Sequence, residues 1–303
     1  MEIANLFAVD WGTSNLRVWA FAADGREIAR LSSDKGTGGL RPDEFEPALL
    51  GLIAPYLGDR PTPVLCCGMV GARQGWAEAA YASVPCAPPD AAKALQVTGS
   101  DPRLAVSILP GVMQQTPPDV MRGEETQIAG FLAQNPGFDG TLCLPGTHSK
   151  WVQVSAGEIV SFRTFMTGEL FALISGQSVL RHSVGGSGGW SDAAFAAAVD
   201  DAMGSPQQVA ARLFGLRAAG LVGDADPGDA RAQLSGLLIG LELAGARPYW
   251  LGQDVALIGD PALTALYATA LDQQAVPIRS ADGGEMTLAG LQAAHNTMKE
   301  VDE

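Results

Sequence analysis

Apolar residues in the first third of the chain come in short runs separated by polar turns. Leu6-Phe-Ala-Val9 meets Asp10-Trp-Gly-Thr-Ser-Asn15, the chain alternates from Leu16 to Phe21, and Asp24-Gly25 turns it again. This pattern predicts strand, tight polar turn, strand, hairpin turn and strand. Phe45, Leu49, Leu52, Ile53 and Tyr56 recur at helical spacing, so residues 44–57 read as an amphipathic helix. Pro61-Thr-Pro63 breaks the chain before Val64–Cys67, a buried strand that ends in Gly68-Met-Val-Gly71, and Val106–Leu109 reads as another strand. Residues 78–103 are rich in Ala and Pro, and their pattern places no element. Glu124-Glu-Thr-Gln127 opens a helix whose apolar face is Ile128, Phe131 and Leu132. Acids in that first turn complement the helix dipole. The helix stops before Asn135-Pro-Gly137, the best candidate for a boundary between a domain of 1–136 and one of 137–303.

The second half begins like the first. Leu142-Cys-Leu144 runs into Pro145-Gly-Thr-His-Ser-Lys150, followed by Trp151–Val154, a turn at Ala156-Gly157, and Ile159–Phe165. Aligning Gly12-Thr13 with Gly146-Thr147 superposes two units of strand, Gly-Thr turn, strand, turn and strand. A weak repeat at the start of each half predicts a duplicated α/β fold. Further on, Leu234, Leu237, Leu238 and Leu241 form one helical stripe, with Gly236 and Gly240 placed to let another backbone approach. Val255–Ile258 reads as a strand ending in Gly259-Asp-Pro261, where Asp260 caps a helix that has Pro261 in its first position. Leu263, Leu266, Tyr267 and Ala270 make that helix's buried face, and residues 183–191 form a Gly-rich loop.

Composition narrows the class. A chain of 303 residues, 47% hydrophobic and 17% charged, suits two domains of about 150 residues each. Nineteen basic residues against thirty-three acidic leave a net charge of −14. Nucleic acids and anionic membranes call for clustered Lys and Arg, so neither is an expected partner. No run of eighteen apolar residues occurs, and the opening MEIANLFAVDWG lacks the basic and apolar segments of a signal peptide. A cytoplasmic location is the expectation. Cys66, Cys67, Cys86 and Cys143 form no C-x-x-C pair and read as free thiols of a reducing compartment. Cys66 and Cys67, adjacent on a strand, point to opposite faces.

A Gly-Thr turn between strands aims backbone N–H groups and a hydroxyl at one point, a nest that binds phosphate. The same turn is common in plain hairpins. Two of them, one opening each half, could hold opposite ends of a triphosphate across a cleft. Asp10 serves equally well as a turn cap or as an anchor for hydrated Mg²⁺, which usually takes one or two carboxylates and keeps several waters.

The Asp-x-Gly-Thr pattern of Asp10-Trp-Gly-Thr-Ser14 resembles the first phosphate loop of the sugar-kinase, Hsp70 and actin superfamily. Further segments sharpen the resemblance to the 2-dehydro-3-deoxygalactonokinase family. They are Asp10–Arg17, Gly68-Met-Val-Gly71 with Gly75-Trp76, Ser83-Val-Pro85, Met121-Arg-Gly-Glu-Glu-Thr-Gln127, Pro145–Trp151, Met166-Thr-Gly-Glu-Leu170 and Leu234–Gly240. The resemblance implies two similar ribonuclease-H-like domains with a cleft between them, the actin-like ATPase or sugar-kinase fold. It places the sugar acid and the first phosphate loop on the N-terminal domain and the nucleotide on the C-terminal one, whose last helix can pack back on the first. It implies ATP and Mg²⁺ as cofactors and transfer of phosphate to the 6-hydroxyl of 2-dehydro-3-deoxy-D-galactonate. A same-fold kinase for another sugar acid or sugar and a non-catalytic nucleotide-binding regulator are the alternatives. A homodimer stays open.

On the family pattern, Asp10 holds the metal, and Gly12, Thr13, Ser14, Arg17, Gly146, Thr147, His148, Lys150 and Gly259 serve the nucleotide. Glu124 is the base and Glu125 its runner-up, since transfer to an alcohol wants a carboxylate about 3 Å from the attacking oxygen. Met69, Val70 and Trp76 wall the sugar pocket. Arg122 and Arg163 are the candidates for the substrate carboxylate, which Arg can bind bidentately. Two departures stand out. Pro145 occupies a place near which the superfamily usually has an Asp, and Gly259-Asp-Pro261 replaces a small uncharged turn. No G-x-x-x-x-G-K-[ST] is present, which disfavours a P-loop enzyme.

Overall fold

The computed structural model describes residues 2–88, 91–99, 101–185, 188–223 and 226–302. The chain starts with the strands β1 (Leu6–Trp11), β2 (Leu16–Phe21) and β3 (Glu27–Ser33), then α1 (Phe45–Ile53) and β4 (Thr62–Gly68). Five short strands follow: β5 (Tyr81–Ser83), β6 (Leu95–Val97), β7 (Leu104–Ile108), β8 (Gly111–Gln114) and β9 (Asp119–Met121). Helix α2 (Glu124–Gln134) precedes β10 (Gly140–Leu144), β11 (Ser149–Ser155) and β12 (Glu158–Phe165). The helical stretch comprises α3 (Thr167–Gln177), α4 (Arg181–Val184), α5 (Asp192–Gly204), α6 (Val209–Val222), α7 (Pro227–Gly245) and α8 (Arg247–Trp250). Then come β13 (Val255–Gly259), α9 (Pro261–Asp272), β14 (Ile278–Asp282) and α10 (Gly283–Asp302). Of the Gly-rich loop expected over 183–191, residues 186–187 lie outside the described residues, Ser183 and Val184 belong to α4, and Ser191 caps α5.

Two compact units emerge. One contains residues 1–138, 154–161 and 283–303, the other 139–153 and 162–282. The first is built on the sheet β3-β2-β1-β4-β7-β6, in which β1 pairs antiparallel with β2 and parallel with β4. The second is built on β12-β11-β10-β13-β14, with β10, β13 and β14 parallel. Each order starts with three consecutive strands laid out third, second, first, and continues with two parallel strands reached by crossovers, to which the first sheet adds β6, antiparallel to β7. This common layout is the repeat that the paired Gly-Thr turns signal.

Strand β1 is buried on both faces, as a central parallel strand should be. Phe7, Val9 and Trp11 pack toward Phe45, Leu49 and Ile53 of α1. Leu6 and Ala8 pack with Leu288, Leu291 and Ala294 of α10 on the opposite side. Cys66 joins the first cluster and Cys67 the second, so the adjacent thiols do face opposite ways. Helix α10 also crosses α2 at backbone contact. A Cβ on Gly130 would lie 1.9 Å from the Met286 carbonyl oxygen, and one on Gly290 would lie 1.9 Å from that of Thr126.

In the second unit α7 is buried nearly all round. Gly236 and Gly240 bring it against the Phe195 and Val199 carbonyls of α5, where a Cβ would come within 2.4 and 2.7 Å. The stripe expected from Leu234, Leu237, Leu238 and Leu241 holds for the first three, but Leu241 is exposed and Glu242 is buried. A helix enclosed on several sides has no single apolar stripe, so the spacing rule fails there. Asp260 caps α9 through the Ala262 and Leu263 N–H groups, at 2.9 and 3.1 Å, with Pro261 in the first turn.

Candidate active site

In the first unit the site residues collect where β1 and β4 end. Asp10 and Arg17 are direct cross-strand partners on β1 and β2 and form an ion pair. Burial pushes the Asp10 carboxyl above its ordinary value, the Arg17 guanidinium pulls it down, and Glu124 raises it again. Between the two strands Thr13 and Ser14 stand exposed, and the Gly12 N–H closes the turn on the Asn15 carbonyl at 2.9 Å.

A second loop braces this turn. Trp11 donates its indole N–H to the Lys35 carbonyl at 2.8 Å. The Thr37 and Gly38 N–H groups donate to the Gly12 and Thr13 carbonyls at 3.0 and 2.9 Å. A Cβ on Gly36 would sit 2.2 Å from the Thr13 carbonyl oxygen, so only glycine fits. Lys35–Gly39 is absent from the expected site residues, and its signal in the sequence is Gly36-Thr-Gly-Gly39 after a strand.

Gly68, at the end of β4, has φ +90°. A side chain there would meet the Trp11 carbonyl oxygen at 2.8 Å and Asp10 Oδ1 at 3.4 Å. The next residues, Met69–Gly71, form a single 3₁₀ turn. Met69 is half-buried, whereas Val70 lies wholly inside the core with Trp11 and Ile108. Trp76 donates its N–H to the Val70 carbonyl at 2.9 Å and stacks on Phe45, with ring centroids 6.2 Å apart.

The two acids that open α2 have different surroundings. Glu124 is half-buried, and its Oε2 accepts the Arg122 N–H at 3.1 Å. Glu125 is buried, and both its oxygens turn back on the Gly123 N–H, at 2.8 and 2.7 Å. Burial first, then Glu124, raises the Glu125 carboxyl to about 7. The Arg122 guanidinium lies 4.2 Å over the Tyr81 ring, and its Nη2 donates to the Ala79 carbonyl at 2.8 Å. Its Nε and Nη1 are buried and have no hydrogen-bond partner among the described residues.

In the second unit Gly146, Thr147 and His148 make the turn between β10 and β11, with Thr147 and His148 exposed. Lys150 is buried and donates to the His148 carbonyl at 3.1 Å. Gly259 lies beside the start of this turn, where a Cβ would stand 3.3 Å from the Pro145 carbonyl oxygen. The Asp260 carboxylate is engaged by its own helix. Arg163 is exposed on β12. Glu242, which the sequence reading missed, is buried and accepts from Trp151 Nε1 at 2.8 Å and Tyr267 Oη at 2.7 Å. An acid inside the apolar run Leu237–Leu243 was the available signal.

The model of the 2-keto-3-deoxy-galactonokinase family matches residues 10–294. The chain belongs to that family. A Rhizobium meliloti (strain 1021) protein named "Probable 2-dehydro-3-deoxygalactonokinase DgoK1" is 41% identical over 95% of both chains. The 2-dehydro-3-deoxygalactonokinase of Escherichia coli (strain K12) is 34% identical over 96% of this chain and 97% of its own. A crystal structure from Sinorhizobium meliloti, assigned to the same activity, superposes with a TM-score of 0.90 at 40% identity, covering 97% of this chain and 99% of that one. Component A of (R)-2-hydroxyglutaryl-CoA dehydratase from Acidaminococcus fermentans gives 0.50 at 12% identity, over 97% and 98% of the chains. This galactonokinase-family chain therefore has the actin-like ATPase and sugar-kinase fold, in agreement with its paired sheet orders. Among the described residues no helix is long and apolar enough to cross a membrane.

Proposed function

We propose that the chain transfers the γ-phosphate of ATP to the 6-hydroxyl of 2-dehydro-3-deoxy-D-galactonate, giving 2-dehydro-3-deoxy-6-phosphogalactonate. The observation that carries this reading is Arg122. A buried guanidinium with two N–H-bearing nitrogens lacking acceptors costs stability, about 1–3 kcal/mol for each unmade bond. A substrate carboxylate would take one of them together with a second N–H of Nη2 in a fork, since Nε and Nη1 face different edges of the guanidinium. Tyr81 below and Ala79 beside it hold the fork in place. In an acidic protein this local cation lets the site accept an anionic sugar acid.

Glu124 orients the substrate hydroxyl and takes its proton, its own oxygen steadied by the Arg122 N–H. Glu125 has both oxygens committed to the Gly123 N–H, which favours Glu124 for the reacting role. Thr13, Ser14 and the backbone of their turn receive phosphate oxygens in one unit, and Gly146, Thr147 and Lys150 do so in the other. Phosphoryl transfer passes through a loose transition state, so placement and charge neutralisation outweigh strong general-base catalysis.

Asp10 is the residue for Mg²⁺. It is a carboxylate at a strand end, paired with Arg17 and near Glu124, and no group of three ligating side chains occurs among the described residues. That donor set fits a cation bound mainly through water and phosphate rather than a protein cage. When bound, Mg²⁺ supplies neutralisation of phosphate charge. We place the enzyme in the cytoplasm, where ATP is available and the four free thiols stay reduced.

The test is a coupled ADP-release assay with the galacto and gluco epimers of 2-dehydro-3-deoxy acids, aldonates and hexoses side by side. Stimulation by the galacto epimer above all others is expected. Greater stimulation by another acid reassigns the substrate, and ATP binding without stimulated ADP release removes the kinase reading.

A further inference from the structure

The segment Met166-Thr-Gly-Glu-Leu170 has no part in the mechanism above, yet its Gly168 and Glu169 touch the second Gly-Thr turn. We propose that the first turn of α3, Thr167-Gly168-Glu169, is a clamp that sets the shape of the Gly146-Thr147-His148 turn, with Glu169 as a positioning residue for nucleotide binding. The proposal rests on the nucleotide reading above.

Three contacts carry it. Gly168 lies backbone to backbone on the turn, where a Cβ would come within 2.3 Å of the Gly146 carbonyl oxygen and 2.8 Å of Thr147 Cα. The Glu169 N–H donates to the Thr147 carbonyl at 2.9 Å. The Glu169 side chain meets His148, with Oε2 and Nε2 2.6 Å apart. From the other side Lys150 grips the His148 carbonyl. An exposed turn between two strands has no packing of its own to hold it, and these contacts fix both its backbone and its one large side chain.

The clamp is itself anchored. Thr167 is buried and hydrogen-bonds Glu242. Tyr267, which donates to Glu242 at 2.7 Å, lies 2.9 Å from Ser149 Oγ, the residue directly after the turn. One buried carboxylate thus ties down the first residue of the clamp and the strand that leaves the turn. The His148–Glu169 pair is solvent-exposed, with side chains 47% and 37% accessible. Pairs of this kind add little to folding stability, so removing one should alter the turn without unfolding the unit.

The experiment measures binding of a nonhydrolysable ATP analogue by calorimetry, with steady-state kinetics and melting curves for the same proteins. Glu169→Ala should raise the analogue Kd and the KM for ATP about fivefold, leaving the KM for the sugar acid and the Tm as in wild type. Glu169→Gln, which keeps a hydrogen bond to His148, should recover most of the loss. His148→Ala combined with Glu169→Ala should be no worse than either alone. Gly168→Ala should weaken the analogue further, because its Cβ displaces the Gly146 carbonyl. A Glu169→Ala protein that binds the analogue as wild type does, whether or not it melts lower, overturns the clamp. Wild type that binds no nucleotide overturns the nucleotide reading itself.

Discussion

Gly123 rests on Gly68: a Cβ on Gly123 would lie 3.4 Å from the Gly68 Cα. Both residues have positive φ, +110° and +90°. The turn that presents Glu124 is thereby seated on the strand end beside Asp10. Alanine at either place should disturb that seat. Gly123→Ala should cost about 1–3 kcal/mol through backbone strain, lowering Tm by about 5 °C. Gly68→Ala should cost more, since its Cβ meets a carbonyl oxygen fixed in β1 at 2.8 Å. Thermal melts check both, and a wild-type Tm in Gly68→Ala would contradict the geometry.

Glu124→Gln should lower kcat by about 10²–10⁴-fold, the range usual for a lost general base. Affinity for ATP and for the sugar acid should stay within a few-fold of wild type. Single-turnover kinetics at saturating substrate provide the check. Near-normal turnover removes Glu124 from the mechanism and turns attention to Glu125.

Arg122→Lys should raise the KM for the sugar acid by about 10–100-fold, with a smaller effect on kcat. An ammonium is a point charge and cannot replace a fork that binds both carboxylate oxygens. The KM for ATP should not follow. Equal rises in both constants would show general damage to the unit rather than loss of an anion site.

Glu125 makes stability depend on pH. Its carboxyl, ordinarily near 4.5, is raised by burial to about 7. Between those values the folded chain keeps a proton that the unfolded chain has released. Its contribution is therefore most favourable below about pH 4.5, declines as pH rises, and is lost above about pH 7, a change of about 3 kcal/mol. Glu125→Gln removes this dependence. The Tm of the variant minus that of wild type should grow from pH 5 to pH 8, and a constant difference would refute the assignment.

Much of the fold is legible in local patterns. The Gly-Thr repeat announces the common strand order of the two sheets, Asp260-Pro261 marks the start of α9, and Gly236 and Gly240 signal the contact of α7 with α5. What escapes notice comes from contacts distant in sequence. Residues 78–103 show no periodicity because their strands are short, yet Ala79 and Tyr81 form the bed of Arg122. Leu241 follows the stripe of its helix but faces outward, and Glu242 enters the core because Trp151, Tyr267 and Thr167 supply its partners. The motifs name the chemistry of the site, whereas the supports of each motif reside elsewhere: Gly36 under Thr13, and Gly168 under Gly146.

The crossing of α2 and α10 through Gly130 and Gly290 also bears on biosynthesis. The helix carrying Glu124 leaves the ribosome early, but the helix that seats it can emerge only after residues 139–282 have been translated. Until then the nascent polypeptide carries Glu124 on a helix that lacks its α10 contact. A chain cut short before α10 therefore never forms this crossing, and α2 loses the backbone contact at Gly130.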